Sequence, residues 1–422
     1  MNDPKAEPYA AFRINLEQQQ KRAKELLKAA KAGEAAALHR LRAAGFSAPD
    51  FKLAQTQHCI ARELRFANWA ALKQHCARMM RARSVLGSTL DGDCRTMHVR
   101  CGHDIQNTLK AAGFDGDFNL HINPYLEGPV TAQPDWLEQR ARFIVDSFGA
   151  DMNLEYHAVL DGCRQEERRL ESASHDYARV VLWFEHDRYD QFVLLRCLAW
   201  FAEHGAPPRL EIVELDDYPG AAHFLGLGQL PPEALRLLWE QRRSVDAAQM
   251  RAGQQLWDAF RAADPRALAG LMQAGTPLLP HVAGALRRHL QELPSLTNGL
   301  GLTQQLLLQT LVECGPMRAG RLVGLLIHER DPLPGLGDLS HDRMLREMAA
   351  LREPLLTRTG NNSRNAWHAD TVEVTDAGRA VLEGNVNWLS LAVAERWVGG
   401  VRVAPGQRNW HWDDKTSSAV QR

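Results

Sequence analysis

Cysteine is scarce in this chain, and the seven that occur are scattered. They stand at positions 59, 76, 94, 101, 163, 197 and 314. None forms a CxxC pair, and an odd number cannot all be joined in disulfides. The pattern argues against a disulfide framework and against a structural zinc site, and it fits a reducing cytoplasm.

Long apolar runs are also missing. No uncharged stretch approaches the roughly 18 residues of a membrane span, and the N-terminus lacks the apolar segment of a signal peptide. Apolar residues make up 45% and charged residues 24% of the 422 residues, which is ordinary for a globular protein. We therefore expect a cytoplasmic protein of two to four domains without a membrane partner.

Three familiar glycine motifs are absent as well. No GxGxxG follows the first predicted strand, no GxxxxGK precedes Ser or Thr, and no GxSxG occurs. These absences argue against a dinucleotide cofactor, a phosphate loop and an α/β-hydrolase nucleophile. The sequence names no cofactor.

The net charge of −1 conceals an uneven distribution. Residues 1–83 contain 16 Lys or Arg and 7 Asp or Glu, a net of +9, so the remainder carries −10. Helical periodicity in this segment predicts a basic helical module. It is either docked on or tethered to an acidic body, or attracted to an anionic polymer. Interspersed acids favour the first interpretation. Residues 84–94 have no periodicity and are predicted to be a linker.

Residues 95–300 alternate strands with helical stretches. That order predicts an α/β domain with a central parallel sheet and crossover helices. The stretch Val180–Phe184 is apolar at consecutive positions, which is typical of a strand buried on both faces. Residues 231–293 become fully helical and form a predicted extension. The predicted strands are Met97–Cys101, Phe118–Ile122, Arg179–Phe184 and Arg209–Leu215.

Residues 301–415 show three helical patterns followed by two strand patterns. This is the element order of a winged helix, a variant of the helix-turn-helix. We predict a winged-helix-like domain here. The polar residues that follow the aromatic stretch Trp410–Trp412 are expected to fray.

The third helix of this domain carries Arg343 and Arg346, and the next loop carries Arg364. Donors of this kind contact phosphates in nucleic-acid complexes. Asp342 and Glu347 dilute the charge of the helix. An alternative function is therefore a DNA-associated regulator with an α/β sensor domain.

Ionisable residues follow the predicted strands of the central sheet. In an open parallel sheet, the ligand crevice lies outside the carboxyl ends of the strands. We therefore expect side chains that are distant in sequence to meet around one cavity. The predicted catalytic residues are His103 after the first strand, Glu127 after the second, and Glu185, His186 and Asp187 after the third.

His186 stands between two acids, Glu185 and Asp187. A carboxylate beside an imidazole fixes its tautomer and raises its basicity, which suits general acid–base catalysis. Asp187 also immediately precedes a predicted helix, so it is equally well placed to be the N-cap of that helix.

His103 and Glu127 are expected to lie opposite His186. His103 and His186 could also hold a metal ion with a carboxylate from Glu127 or Glu185, because two histidines and a carboxylate are a known ligand set. Gly102 allows a sharp turn and close approach of a ligand. Asp104 either contacts the substrate or caps the following helix.

Further substrate-binding candidates lie outside the strand ends. Gly226 and Gly228 allow their segment to fold over the crevice, where Gln229 would contact an amide or a base. Arg287 and Arg288 would clamp a phosphate or carboxylate, although an exposed basic helix face also explains them.

Several segments together resemble an uncharacterised bacterial family, domain of unknown function eighteen-thirty-five. They are HVRCGHD (98–104), EGPV (127–130), VVLWFEHDRYDQ (180–191), GLGQL (226–230) and LRRHLQELPSLTNGLGLT (286–303). The chain departs at the first turn, where the family has Gly-Asp-Ser and this chain has Gly102-His103-Asp104. VTDAGRAVLEG (374–384) and RWVGGVRV (396–403) look like the end of winged-helix-like domains attached to this family. The resemblance implies an architecture but no reaction.

The sequence thus predicts an intracellular enzyme or ligand-binding protein with its site at the strand ends. The expected partner is a small polar molecule, phosphorylated or not, that the protein would hydrolyse or use in group transfer. DNA-associated regulation is the alternative, and a structural adaptor is a third possibility. The sequence determines neither the metal content nor the oligomeric state.

Overall fold

The computed structural model describes residues 9, 12–47, 50–220, 224–360, 364–392 and 394–422, with backbone alone for 364 and 365. None of the helices in these ranges combines the length and apolarity that crossing a bilayer requires. The chain divides into two compact units. The first comprises the described parts of 1–119, 178–185 and 211–244, and the second comprises 120–177, 186–210 and the described parts of 245–422.

A five-stranded, mostly parallel sheet confirms the predicted α/β class. Its strand order is β2-β1-β3-β4-β5, and β1 and β3 are parallel. The short β5 pairs antiparallel with β4 and is the one strand of this sheet that the sequence did not predict. Most of its residues belong to the first unit. The strands are β1 (Thr96–Cys101), β2 (Asp117–His121), β3 (Arg179–Glu185), β4 (Arg209–Leu215) and β5 (Arg243–Ser244).

The middle of the sheet forms the core of the first unit. Every residue of β3 is buried, as its unbroken apolar sequence predicts. Trp183 on β3 packs edge-on against Phe114, which in turn packs against Trp239. The first unit contains helices α1 (Leu16–Lys31), α2 (Ala35–Ala43), α3 (Leu53–Glu63), α4 (Trp69–Ser84), α5 (Gln106–Ala112) and α9 (Pro232–Trp239).

The predicted basic module is docked within the first unit rather than tethered to it. Phe12 and Met79 are buried in the same cluster as the sheet residue Trp183. Arg13 donates to Glu233 at 2.7 Å, and the Glu233 side chain is almost fully buried. The first unit therefore contains both this module and most of the sheet.

The segment predicted as a linker, 84–94, is bound to the rest of the first unit. Asp91 is 1% exposed and accepts hydrogen bonds from the main-chain N–H groups of Asp115 and Gly116, each at 2.9 Å. Its carboxylate also lies 2.9 Å from His98 on β1. A buried, fully bonded carboxylate anchors this segment.

The second unit is largely helical. Its long helix α8 is capped by Asp187, whose side chain accepts from the N–H of Asp190 at 2.9 Å. The helices of its first part are α6 (Trp136–Met152), α7 (Tyr156–His175), α8 (Arg188–His204), α10 (Ala247–Phe260), α11 (Arg266–Ala274) and α12 (Val282–Leu290).

The remainder of the second unit contains helices and small antiparallel sheets. One three-stranded sheet has the order β6-β8-β7, and two hairpins pair β9 with β10 and β11 with β12. The helices are α13 (Leu302–Cys314), α14 (Ala319–Leu325), α15 (Asp338–Ala349), α16 (Asp376–Leu382) and α17 (Trp388–Leu391). The strands are β6 (Met317–Arg318), β7 (Leu356–Thr359), β8 (Thr371–Val374), β9 (Arg396–Val398), β10 (Val401–Val403), β11 (Trp410–Asp413) and β12 (Ser418–Gln421).

The winged-helix assignment of this region stays a prediction. The expectation that the C-terminal tail frays is wrong. Trp412 is 3% exposed, and its main-chain N–H donates to the carbonyl of Pro294 at 2.9 Å. The following residues return as β12, because burial of the aromatic ring fixes the hairpin in place.

Candidate functional site

In the first unit, the predicted strand-end residue Glu185 lies in a cluster of charged side chains that bond to one another. Arg100 of β1 is buried and donates to Glu185. It also donates to Asp104 at 2.8 and 3.1 Å. The N–H of Leu227 donates to the Glu185 carboxylate at 2.6 Å. The Arg100 guanidinium is therefore bonded to two carboxylates of the chain, and Glu185 accepts from both a guanidinium and a main-chain N–H.

The glycine-rich segment lies directly on this cluster. A side chain at Gly226 would collide with the Glu185 carboxylate, and one at Gly228 would collide with Asp104. The close approach explains both glycines. Gln229 accepts from the N–H of Leu225 at 2.7 Å, so its side chain closes its own turn.

The first predicted turn has the expected conformation. Gly102 has φ of +83°, which favours glycine. His103 is exposed, and its carbonyl accepts from the N–H of Gln106 at 3.1 Å. The structure thus gives His103 a place at the start of α5, with its ring toward solvent.

The predicted residues His186 and Asp187 belong to the second unit. The His186 ring lies 6.5 Å from that of His281, measured between centroids. Asp187 serves as the N-cap of α8, which was the alternative interpretation of this residue. Glu127, in the same unit, lines a different feature.

That feature is a cleft of about 1080 Å³ in the second unit. Its walls come from the loop after β2, from α6, from α15 and from the β9–β10 hairpin. Neither His186 nor Asp187 lines it. Seven arginines do: Arg142, Arg188, Arg261, Arg343, Arg346, Arg396 and Arg402.

The loop after β2 is held in place by Arg140 of α6. This buried guanidinium donates to Asn123 at 2.8 and 3.0 Å and to the carbonyls of Pro124 and Glu127. Gly128 packs against the Phe143 ring with φ of +71° and has no room for a side chain. These contacts fix the position of Glu127 in the cleft wall.

Glu127 is buried and already bonded through both of its carboxylate oxygens. One oxygen accepts from Arg343 and the other from the hydroxyl of Ser340, both on α15. Although burial disfavours the charged form, Glu127 and Glu347 outweigh it and raise the pKa of Arg343. Glu127 is therefore poorly placed to be a metal ligand, because an ion would have to displace these partners.

A second buried network involves the predicted binding residue Arg288. It donates to Glu292 at 2.6 Å and to Asp331 at 2.6 and 2.8 Å. Burial favours the neutral acid, but Arg288 and Arg188 outweigh it and lower the pKa of Glu292 to about 2. Arg288 is thus engaged within the protein. Its neighbour Arg287 is exposed and donates to Ser417 at 3.0 Å.

The arginines of the DNA-binding alternative are also paired. Arg346 donates to Asp151 at 2.8 Å and lies 3.3 Å from Asp342. Arg343 is paired with Glu127 and Glu347. Arg364 begins a short 3-10 helix. Contact of Arg343 or Arg346 with phosphates would therefore exchange one set of ion pairs for another.

Three other arginines of the cleft have no carboxylate partner within the residues described: Arg142, which is exposed, and the half-buried Arg261 and Arg396. Arg261 donates only to the carbonyl of Thr131, at 2.6 and 2.9 Å. Arg396 donates to the carbonyl of Glu292 at 2.5 Å. Burial lowers the pKa of both guanidinium groups, and it outweighs the nearby carboxylates, Asp258 for Arg261 and Glu292 for Arg396, which raise it.

Unused N–H groups accompany these arginines. Nε and Nη2 of Arg396, Nε of Arg343 and Nη2 of Arg188 are shielded from solvent and have no hydrogen-bond partner among the described residues. A buried donor left unpaired costs about 1–3 kcal/mol. Three arginines that line the cleft, Arg188, Arg343 and Arg396, therefore have N–H groups that could still donate hydrogen bonds.

The acids of the cleft form no ion pair with Arg261 or Arg396 in the described part of the chain. The buried carboxylates Glu127, Asp151 and Glu292 each have another arginine as partner. Eight carboxylates and seven arginines line the cleft among the described residues, so the cleft as a whole is not positive. Positive charge without an ion pair is confined to individual arginines.

Sequence reasoning found Glu127 but missed Arg261 and Arg396. Arg396 begins the segment RWVGGVRV, which resembles the end of winged-helix-like domains and gives no sign of a binding site. Arg261 follows α10, and its guanidinium lies 5.2 Å from the centroid of Trp136. Nothing in the local sequence of either residue shows that it lacks a carboxylate partner.

A comparison with protein-family models and with curated proteins found no match. The resemblance to the bacterial family therefore remains a prediction from the sequence.

Proposed function

We propose that the second unit binds a small organic anion, a carboxylate or a phosphate, in the cleft. One observation carries this proposal: Arg261 and Arg396 line the cleft, are half-buried, and donate hydrogen bonds only to carbonyls. An anion would form the direct ion pair that no described carboxylate makes with them. Arginine is well suited to both ligand groups because its planar fork bonds two oxygens at once.

The cleft has the size and composition of a ligand site. Its volume of about 1080 Å³ lies just above the usual range for small-molecule pockets, about 300–1,000 Å³. Phe143 and Trp397 contribute apolar surface to its walls. The shielded N–H groups of Arg396 would reach an anion after rotation of its guanidinium group.

This proposal keeps the predicted ligand class but differs in the residues that bind it. Arg288 is committed to Glu292 and Asp331, so Arg261 and Arg396 take the role of anion clamp. Glu127 contributes indirectly, because it holds Arg343 at the cleft wall.

Inorganic phosphate is a direct probe of the proposal. We expect phosphate to raise the melting temperature of the protein more than chloride does at equal ionic strength, because a ligand bound to the folded state stabilises it. The double variant Arg261→Gln with Arg396→Gln should bind phosphate at least about tenfold more weakly, since hydrogen bonds to charged groups contribute roughly 1.5–3 kcal/mol each.

The matched control is Arg287→Gln, which removes an exposed arginine outside the cleft. It should retain the phosphate response of the unaltered protein. If the double variant and the control respond equally, the cleft does not bind anions through Arg261 and Arg396.

A further inference from the structure

A second, smaller cavity adjoins the cleft. Its volume is about 170 Å³, and Gln304, Glu347 and Arg396 line both spaces. The same side chains therefore border the cleft on one side and the cavity on the other. A ligand that contacts Arg396 from the cleft stands next to this cavity.

The smaller cavity is apolar apart from the residues it shares. Gln304, Glu347, Glu395 and Arg396 are its only polar residues within the described chain, and all four also line the cleft. The residues that belong to the smaller cavity alone are Ala350, Leu351, Trp388, Leu389, Ala392, Val403 and Pro405. The polar side chains thus lie at the boundary between the cleft and the smaller cavity, and the rest of the smaller cavity is apolar.

The size of the cavity limits what can enter it. An apolar cavity of about 150 Å³ stays dry and accepts benzene. A space of about 170 Å³ therefore suits one aromatic ring or one short alkyl chain. It is too small for the two long chains of a membrane lipid.

We propose that the ligand of the second unit is an amphiphilic organic anion. Its charged group contacts Arg396 and Arg261 in the cleft, and its apolar group fills the smaller cavity beside Trp388 and Leu389. This inference rests on the proposed function, since the anion must first bind in the cleft. It adds the ligand class: a monoalkyl or aryl phosphate or carboxylate.

The physical basis is that each end of such a ligand meets a complementary environment. The anion balances two guanidinium groups that lack a carboxylate. The apolar group leaves water for a cavity lined mainly by apolar side chains, which strengthens binding by about fourfold for each methylene buried. Arg396 separates the two environments and so fixes which end of the ligand lies where.

A homologous series of ligands tests the inference. Methyl, butyl and hexyl phosphate are titrated into the full chain by calorimetry, at concentrations where they form no micelles. We expect affinity to increase by about fourfold per methylene and then to level off when the cavity is full. Butyl phosphate should therefore bind at least about tenfold more tightly than methyl phosphate.

Two variants locate the apolar group. Ala392→Leu narrows the smaller cavity and should remove the dependence on chain length, while methyl phosphate binds as before. The control Ala158→Leu makes the same change on an exposed position of α7 and should leave the whole series unaltered. Persistence of the chain-length dependence in Ala392→Leu would place the alkyl group elsewhere and overturn the inference.

The remaining outcomes separate the two proposals. If methyl, butyl and hexyl phosphate bind equally well, the amphiphilic ligand is excluded while anion binding stands. If none of them binds, both proposals fail. Binding to vesicles of phosphatidylcholine and phosphatidic acid without binding to free alkyl phosphates would indicate a lipid surface instead, and would also overturn the inference.

Discussion

Two regions of this molecule bury arginine in different ways. In the first unit, Arg100 pairs with the carboxylates of Glu185 and Asp104, and the main-chain N–H of Leu227 also donates to Glu185. In the second unit, Arg261 and Arg396 line a cleft and bond only to carbonyls. Arg100 thus has carboxylate partners within the chain. For Arg261 and Arg396, the proposed anionic ligand would supply that partner.

The largest expected loss of stability tests the cluster of Arg100, Glu185 and Asp104 in the first unit. Arg100→Met should lower the free energy of unfolding by about 3–5 kcal/mol, because it leaves the Glu185 carboxylate buried without its cation. Urea denaturation provides the measurement. The control Arg95→Met removes an exposed arginine 3.8 Å from Asp117 and should change stability by less than about 1 kcal/mol. Equal small losses would show that Glu185 does not depend on Arg100.

The buried side chain of His289 provides a further comparison, because it is uncharged in the folded protein at neutral pH. His289 is 1% exposed between Phe192 and Phe260, and burial followed by the nearby Arg188 lowers its pKa to about 3. The unfolded chain takes up a proton near pH 6.5 while the folded chain does not. Stability contributed by His289 is therefore complete above about pH 6.5 and is lost as the pH falls toward 3.

His289→Phe should flatten this pH dependence by up to about 1.4 kcal/mol per pH unit. The measurement is the free energy of unfolding between about pH 6 and pH 4.5. His39→Phe, a change at an exposed histidine, should keep the slope of the unaltered protein. An unchanged slope in His289→Phe would mean that this ring is protonated in the folded state.

The smallest expected effect tests the cleft itself. Arg396→Met should change the free energy of unfolding by no more than about 1 kcal/mol, since it deprives no shielded carboxylate of its principal partner. Arg288→Met is the matched comparison in the same unit. It should be destabilising by about 3–5 kcal/mol, because Glu292 and Asp331 lose their main cation. A similar loss in Arg396→Met would assign that arginine a structural role.

The α/β class and the main strands were predictable because they depend on local pattern. The run Val180–Phe184 can bury both faces of a strand, and Gly205 follows α8 directly. The cap role of Asp187 was also visible from its position before a helix. These features follow from residues that are close in sequence.

The cleft was not predictable in the same way. Glu127 was identified, but its partners Ser340 and Arg343 lie more than 200 positions away in the chain. Whether an arginine has a carboxylate partner depends on which distant segments meet. The sequence shows how many charges there are, and only the fold shows which of them are left over.

The two units interleave along the chain, which crosses from one to the other after residues 119, 177, 185, 210 and 244. No single cut can therefore separate them intact. A fragment of residues 301–415 would lose Glu127 and Asp151, so Arg343 and Arg346 would keep only Glu347 and Asp342 as carboxylate partners. Polyanion binding by such a fragment would therefore not report on the whole protein, in which both arginines have a second partner.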